Sequence, residues 1–311
     1  MPIPLRALPT PALLVDGLRL ERNIAAMQRF ADACGVRLRP HAKSHKSPAI
    51  GQRQLELGAS GLCVAKLGEA GIFADAGFED LLLAYPTVGW RAEASAGLAA
   101  RHQRLRLAVA VDSADGAHAL ARAVREQEAS LAVWIKIDTG LHRAGLDPED
   151  PGLADLARLV IESEGLRLRG VFTHGGQVYR ARPDEVAAIG RAEGETMVRV
   201  AERLRGAGLG PVEVALGATP SIAASARVDG VQEIHPGVYV FGDRQQAALG
   251  AMPAENVSLT VLATVVSRPA PGRWIVDAGS KTLSSDRGAH GSDLIRGFGA
   301  VRRLEAHVES E

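Results

Sequence analysis

The amino-acid sequence predicts an α/β protein: a (β/α)8 barrel of the TIM type, followed by a C-terminal β domain. Short apolar segments alternate with longer amphipathic ones, which indicates a parallel sheet with crossover helices. Eight such apolar segments occur, the number of strands that closes a barrel. From about Val257 the sequence becomes rich in β-branched residues without a helical period, which is typical of antiparallel strands.

The predicted barrel domain comprises residues 1–250, and the β domain comprises residues 251–311. The apolar segment Leu13–Val15 predicts a strand that joins the β domain, so residues 1–16 are expected to belong with it. A helix is predicted after Asp16, because apolar side chains then recur on one helical stripe. The residues of this stripe are Leu20, Ile24, Met27 and Ala31.

The predicted barrel strands follow at regular intervals. They are Arg37–Lys43, Gly61–Ala65, Leu81–Tyr85, Leu105–Asp112, Ala132–Asp138, Leu168–His174, Val212–Gly217 and Gln232–Pro236. Each of the first seven precedes a helical stretch rich in Ala, Leu, Arg and Glu. An open doubly wound sheet is the alternative, but the Gly-x-Gly-x-x-Gly motif of dinucleotide-binding domains does not follow the first strand.

Composition excludes several classes of partner. The chain has 36 basic and 36 acidic residues, so we expect no nucleic acid and no membrane surface as partner. No segment approaches the roughly 18 uncharged apolar residues of a membrane span, and no signal-peptide pattern occurs. Cys34 and Cys63 are too few for a disulfide scaffold, which predicts a reducing, cytoplasmic location.

Polar and titratable residues follow most of the predicted strands at their carboxyl ends. In (β/α)8 barrels these ends meet at one face, where active sites are built. One polar end carries little information, but their convergence predicts a site at the barrel mouth. The residues are Lys43, Tyr85, Asp138, Thr139, His142, Arg143, Thr173, His174, Gln177, Tyr179, Gly217, Thr219, Ser221, His235, Gly237, Tyr239 and Asp243.

Lys43 is the most specific of these signals. A barrel interior desolvates an ammonium group and lowers its pKa, which makes the amine a better nucleophile toward a carbonyl. Lys46 is the other candidate in "RPHAKSHK", but the strand alternation places Lys43 at the strand end and Lys46 in the following turn. The alternative for either lysine is a side chain that only extends into solvent.

The segments "GATPS" and "HPG" indicate a phosphate site after the seventh and eighth strands. Gly217 and Gly237 allow close backbone approach, and Thr219 supplies a hydroxyl donor. Paired with a lysine in the first strand, this pattern predicts pyridoxal 5'-phosphate as the cofactor.

Seven ordered motifs resemble those of one enzyme family. They are "TPALLVD", "LRPHAKSHK", "DTGLHRAG", "FTHGG", "GATPS", "EIHPGVYVF" and "VDAGSKTLSSDRG". This is the D-threonine aldolase and D-serine dehydratase family of fold-type III pyridoxal phosphate enzymes, akin to the alanine racemase barrel. The resemblance implies a homodimer whose active sites lie near the subunit interface, and a small D-amino acid as substrate.

The resemblance also implies roles for individual residues. Lys43 matches the lysine that holds the cofactor covalently, and Arg143 matches an arginine near its phenolic oxygen. His174, a candidate catalytic residue, and Gln177 match the pocket wall, and Tyr179 lines the substrate side. The phosphate is expected at Thr219, Gly237 and Tyr239.

The sequence departs from the family in its metal site. The family's activities use a divalent metal, manganese or zinc, held by a His-x-Cys or His-x-Asp pair, and this chain has neither pair. His307-Val308-Glu309 is superficially close but lies in different surroundings. We therefore expect no metal ligand in this chain, an incomplete β domain, a chain that ends short of the family's usual terminus, and cofactor binding with weak activity.

The leading expectation is a lyase that cleaves D-β-hydroxy amino acids by a retro-aldol reaction to glycine and an aldehyde. A D-serine dehydratase, which forms pyruvate and ammonia, is the main alternative. An amino-acid racemase and a non-catalytic cofactor-binding protein are further alternatives. Racemisation by the usual tyrosine is disfavoured, because residues 257–311 contain none and Tyr85, Tyr179 and Tyr239 all lie in the barrel.

Overall fold

The computed structural model describes residues 3–286 and 288–301 of the chain. Its strands are β1 (Ala12–Val15), β2 (Arg37–Leu38), β3 (Leu62–Val64), β4 (Asp80–Pro86), β5 (Arg106–Val111), β6 (Leu131–Ile137), β7 (Leu166–Thr173), β8 (Glu213–Leu216), β9 (Glu233–Ile234), β10 (Leu259–Leu262), β11 (Val265–Ala270) and β12 (Arg273–Val276). All eight predicted barrel strands are present, as β2 to β9.

Helices follow the barrel strands in alternation, as the sequence predicts. They are α1 (Gly17–Cys34), α2 (Pro48–Glu56), α3 (Leu67–Asp75), α4 (Trp90–Arg101), α5 (Ala114–Glu126), α6 (Leu153–Glu162), α7 (Val186–Gly206), α8 (Ile222–Ser225) and α9 (Arg244–Ala248). Among the described residues, no helix has both the length and the apolar character needed to cross a bilayer.

Strands β2 to β9 form one parallel sheet in the order β2-β9-β8-β7-β6-β5-β4-β3. A parallel bridge between His41 and Cys63 joins the two edges of this sheet. There the backbone N–H of Cys63 donates to the carbonyl oxygen of Pro40 at 2.8 Å. The sheet therefore closes, and the predicted (β/α)8 barrel is confirmed.

Helix α1 shows how local sequence sets an element's limits. The Asp16 carboxylate accepts a hydrogen bond from the backbone N–H of Arg19 at 3.0 Å, which caps the first turn. Gly35 ends the helix in the left-handed conformation, with φ of 67°. Between these caps, Ile24 and Ala31 of the predicted stripe are buried.

Two apolar layers lie on either side of the barrel wall. The outer layer packs the helices against the sheet. The inner layer fills the barrel with Trp134 and Phe172 among small residues such as Ala108, Ala110 and Ala215. Large side chains opposite small ones fill a barrel without voids, so the interior is a packed core and the site lies at its mouth.

The first barrel strand is shorter than predicted. The sequence suggests Arg37–Lys43, but β2 ends at Leu38. Pro40 lacks an N–H for the ladder, and beyond His41 the chain enters the 3-10 turn Ala42–Ser44. Lys43 therefore lies in a tight turn beyond the strand.

The C-terminal part contributes two small antiparallel sheets. β1 pairs with β10, with Ala12 opposite Leu262. The N-terminal strand therefore belongs to a sheet outside the barrel, together with a C-terminal strand. β11 and β12 form a hairpin across the turn at Gly272, where φ is 73°. The segment His307-Val308-Glu309, considered above for its metal-like spacing, lies outside the described residues.

Candidate active site

Lys43 presents a half-buried amine at the barrel mouth. His41 fixes the turn, because its Nδ1 accepts a hydrogen bond from the Lys43 backbone N–H at 3.3 Å. Burial, with a contribution from the Arg143 cation, lowers the pKa of Lys43. Lys46 points outward instead and pairs with Glu69. Of the two lysines, only Lys43 is thus a desolvated amine.

His174 follows β7 and faces the same opening. Its Nδ1 forms a short hydrogen bond with the carbonyl oxygen of Gly217 at the end of β8. Burial, together with the Lys43 charge, holds the pKa of His174 well below its ordinary value. The imidazole is therefore neutral at pH 7.

One cleft brings together predicted site residues from several strand ends, among them Lys43, His174, Tyr179, Gly217, Thr219 and Gly237. Burial raises the pKa of Tyr179 to about 12, so its phenol stays protonated. His235 also lines the cleft, and its Nε2 lies 2.8 Å from Oε1 of Glu233 in the barrel interior. These residues come from four strand ends, those of β2, β7, β8 and β9, so these ends meet at one cleft.

The loops after β8 and β9 form a close-packed cradle. The backbone N–H of Gly237 donates to Oγ1 of Thr219 at 3.3 Å. A Cβ at Gly237 would lie 3.0 Å from the carbonyl oxygen of His41, and one at Gly217 would lie 3.1 Å from the Cβ of His235. A side chain at either position would therefore force the facing loop to shift by a few tenths of an ångström.

Three of the residues to which the resemblance assigns roles lie outside this cleft. Tyr239 is buried against Ile24 and Val240, and its hydroxyl accepts a hydrogen bond from Nε2 of Gln54 at 2.9 Å. Gln177 donates from Nε2 to the carbonyl oxygen of Thr139 at 3.0 Å. Arg143 is exposed at the rim and acts on the cleft through its charge.

Lys136 is a second buried lysine that the sequence reasoning missed. It lies in β6 with 5% of its surface exposed, and its Nζ lies 4.2 Å from the centroid of the Phe172 ring. Burial, with the Arg143 and Lys43 charges, lowers its pKa to about 8. The alternation of side chains along a strand could have revealed it, because Lys136 lies two residues after Trp134 and therefore points to the same, inward face of β6.

His290 is the other residue that the sequence reasoning missed. It lies beyond β12, and its ring centroid is 5.6 Å from that of His174 and 5.4 Å from that of Tyr179. Burial, with the Arg143 and Lys43 charges, lowers its pKa. The surrounding sequence has no strand or helix period, so nothing local places this histidine at the barrel mouth.

The residues present fit a phosphorylated aldehyde such as pyridoxal phosphate. Lys43 supplies an amine of lowered pKa, the form that attacks a carbonyl. Within the described residues, no carboxylate pairs directly with Lys43, Lys136 or Arg143, whereas Arg39 and Arg169 at the other end of the barrel are paired. The uncompensated cations suit an anionic ligand.

The described part of the chain contains no group of three or more His, Cys, Asp or Glu residues placed to hold a metal ion.

Family models match two parts of the chain. Residues 15–245 match the alanine racemase N-terminal domain, and residues 258–309 match a putative serine dehydratase domain. Together they span most of the sequence, including the barrel strands and strands β10 to β12. They agree with the family that the seven motifs indicated.

Individual proteins show the same relationship. The D-threo-3-hydroxyaspartate dehydratase of Delftia sp. (strain HT23) is 42% identical over 306 residues, which cover 98% of this chain and 80% of that protein. The D-threonine aldolase of Arthrobacter sp. is 36% identical, covering 92% of this chain and 75% of that protein. A solved metal-free form of a D-threo-3-hydroxyaspartate dehydratase variant has a TM-score of 0.86 at 42% identity, covering 92% of this chain and 76% of that one.

Proposed function

Because this chain belongs to the pyridoxal phosphate-dependent family with an alanine racemase N-terminal domain, we propose that it is a lyase that cleaves D-3-hydroxy amino acids by retro-aldol reaction. The products would be glycine and an aldehyde, as for a D-threonine aldolase. Division into a barrel of residues 1–250 and a β domain of residues 251–311, a homodimer and a cytoplasmic location are parts of this proposal that rest on the sequence.

The observation that carries the proposal is a desolvated amine and a neutral imidazole in one cleft, Lys43 and His174. Lys43 would hold the cofactor covalently, and the loops with Gly217, Thr219 and Gly237 would bind its phosphate. Arg143 would lie near the ring oxygen. Pyridoxal phosphate, when bound, supplies an electron sink for charge that develops on the substrate's Cα.

His174 supplies the base for a retro-aldol reaction. Its Nδ1 is engaged with the carbonyl of Gly217, which leaves Nε2 as the proton acceptor. As Nε2 takes the proton of the β-hydroxyl group, the Cβ–O bond becomes a carbonyl and the Cα–Cβ bond breaks. Cα then takes up a proton, so the sum is an aldehyde plus glycine.

Dehydration is the second candidate, and the Lys43 amine favours it. An amine of lowered pKa can take the α-proton, after which hydroxide leaves and hydrolysis gives a keto acid and ammonia. The similarity to the Delftia dehydratase supports this route. Dehydration also needs a group that helps hydroxide to leave, which a neutral His174 does not supply.

Product analysis tests the proposal. The protein loaded with pyridoxal phosphate would be given D-threonine, D-serine and D-alanine in turn, with and without manganese or zinc. We expect acetaldehyde and glycine from D-threonine. Pyruvate and ammonia from D-serine as the main activity would establish dehydration instead. L-alanine from D-alanine would identify a racemase, and cofactor binding without any product would identify a binding protein.

A further inference from the structure

The segment 288–294, which follows β12 in the chain, is anchored beside the barrel mouth. The side chain of Gln245, which is buried, accepts a hydrogen bond at Oε1 from the backbone N–H of Ala289 at 2.8 Å. The same side chain donates from Nε2 to the carbonyl oxygen of Tyr179 at 3.2 Å. Leu294 packs against the apolar cluster that contains Tyr179. The segment is therefore tied to the turn that carries the site residue Tyr179.

This anchoring brings the ring of His290 to the site. The ring lies against both His174 and Tyr179, and its Nε2 is 3.0 Å from the position that a Cβ on Gly176 would occupy. Arg180 donates from Nε to the carbonyl oxygen of His290. The backbone of His290 has φ of 57°, a left-handed conformation that is uncommon outside glycine and that clusters at functional sites.

The ring nitrogens of His290 are available to a ligand. No hydrogen bond to either nitrogen occurs within residues 3–286 and 288–301, although the ring is half-buried. Cations face the ring from three other segments, namely Lys43, Arg143 and Arg180. Beside them the imidazole is neutral at pH 7, and a neutral imidazole offers one N–H donor and one acceptor.

We propose that His290 is a specificity-determining residue that hydrogen-bonds the β-hydroxyl group of the substrate, across the site from His174. This inference rests on the proposed function, because it assigns a second contact to the hydroxyl that His174 deprotonates. A hydroxyl group both donates and accepts. It can donate its proton to Nε2 of His174 while its oxygen accepts the N–H of His290.

The contact would select for 3-hydroxy amino acids. A site that hydrogen-bonds a substrate hydroxyl disfavours the analogue that lacks it, because a buried polar group is then left without a partner. D-threonine and D-2-aminobutyrate differ only in this hydroxyl. His290 should therefore affect the affinity for the first ligand and leave that for the second unchanged.

Two substitutions separate hydrogen bonding from ring packing. His290→Phe keeps a ring against His174 and Tyr179 but removes both nitrogens, and His290→Gln keeps an N–H donor. His118→Phe, on an exposed position of α5, is the matched control. For D-threonine the measurement is the KM. For D-2-aminobutyrate, D-serine and D-alanine it is the dissociation constant, obtained from the change in absorbance of the bound cofactor.

We expect His290→Phe to weaken the binding of D-threonine and D-serine about tenfold, which corresponds to the loss of roughly one hydrogen bond. The binding of D-2-aminobutyrate and D-alanine should be unchanged. His290→Gln should recover part of the loss. Equal weakening of all four ligands, or His290→Gln no better than His290→Phe, would overturn the inference in favour of a packing role.

The binding measurement remains decisive if the unmodified protein cleaves nothing. In that case the proposed function fails, and the comparison of D-serine with D-alanine still reports on His290 alone. A preference for D-serine that His290→Phe abolishes supports the hydroxyl contact. The absence of any preference in the unmodified protein contradicts it.

Discussion

His174 and Gly217 are joined by a hydrogen bond between the imidazole Nδ1 and the backbone carbonyl oxygen. A carbonyl oxygen only accepts, so the proton lies on Nδ1 and Nε2 carries the free lone pair. Since burial also keeps this imidazole neutral, one hydrogen bond between the ends of β7 and β8 sets both the orientation and the tautomer of the proposed base.

Replacing this base should slow turnover without releasing the cofactor. We expect His174→Ala to lower kcat by about 10²- to 10³-fold, the usual effect of losing a general base. The cofactor absorbance should stay as in the unmodified protein. The control is His102→Ala at the end of α4, where the imidazole lies 3.3 Å from Asp75 and does not line the cleft. Full activity in His174→Ala would exclude the base role.

Covalent cofactor binding should depend on Lys43 and not on Lys46. Lys43→Ala removes the desolvated amine, so the visible absorbance of the bound cofactor should disappear and borohydride should no longer fix the cofactor to the chain. Lys46→Ala removes only a surface ion pair with Glu69, so its spectrum should stay unchanged. A band that persists in Lys43→Ala and vanishes in Lys46→Ala would reverse the assignment.

The barrel was predictable because its strands are buried on both faces and read as short apolar runs. β4 and β6 match the predicted segments to within one residue at each end. β2 does not, because strand length there depends on Pro40 and on the bridge that closes the barrel. Lys43 still lies at the mouth, because it follows the carboxyl end of β2, and that end faces the mouth whether Lys43 belongs to the strand or to the turn after it.

The rest of the site depends on contacts between distant segments. His290 reaches His174 through Gln245 and Arg180, residues that its own sequence neighbourhood does not indicate. Tyr239 follows "HPG" closely enough to suggest the phosphate, but Gln54 on α2 binds its hydroxyl. Such pairings arise from packing between elements, which local pattern does not encode.

The stability of the cofactor-free protein should rise with pH because of Lys136. Its pKa is about 8 in the folded protein and about 10.4 in an unfolded chain. Between these values the unfolded chain binds more protons, so the free energy of unfolding increases with pH. Lys136→Met should thus be more stable than the unmodified protein at pH 7, by roughly 3 kcal/mol, and this gap should narrow to less than about 1 kcal/mol by pH 10.

Urea denaturation at several pH values measures this gap. The control is Lys66→Met, which removes an exposed lysine and should give a difference that does not vary with pH. A constant gap for Lys136→Met would show that this lysine stays charged in the folded protein.

Glu193 should have the opposite pH dependence. Burial raises the pKa of this carboxyl to about 7, and its only hydrogen bond from a described side chain comes from Ser221 Oγ at 3.4 Å. Between pH 4.5 and 7 the folded protein binds more protons than the unfolded chain, so stability falls as pH rises. The free energy of unfolding of Glu193→Gln should exceed that of the unmodified protein by roughly 3 kcal/mol at pH 8, and the two should be equal near pH 4. Glu195→Gln, exposed on the same helix, should show no such trend.

The close approach of segment 288–294 to the barrel requires glycine at position 176. A Cβ there would lie 2.7 Å from Cδ2 of Leu141 and 3.0 Å from Nε2 of His290. Since Leu141 and the segment cannot both stay in place, Gly176→Ala should cost about 1–3 kcal/mol of unfolding free energy and should displace the segment.

Hydrogen exchange of residues 288–294 measures this displacement, and denaturation measures the cost. Gly206→Ala, at the end of α7, is the matched control, because its new Cβ would meet no atom within 4 Å. Faster exchange in Gly176→Ala, with Gly206→Ala unchanged, would show that the segment is held by direct contact with the turn after β7. If exchange is unaltered, Leu141 has moved instead, and the position of His290 does not depend on Gly176.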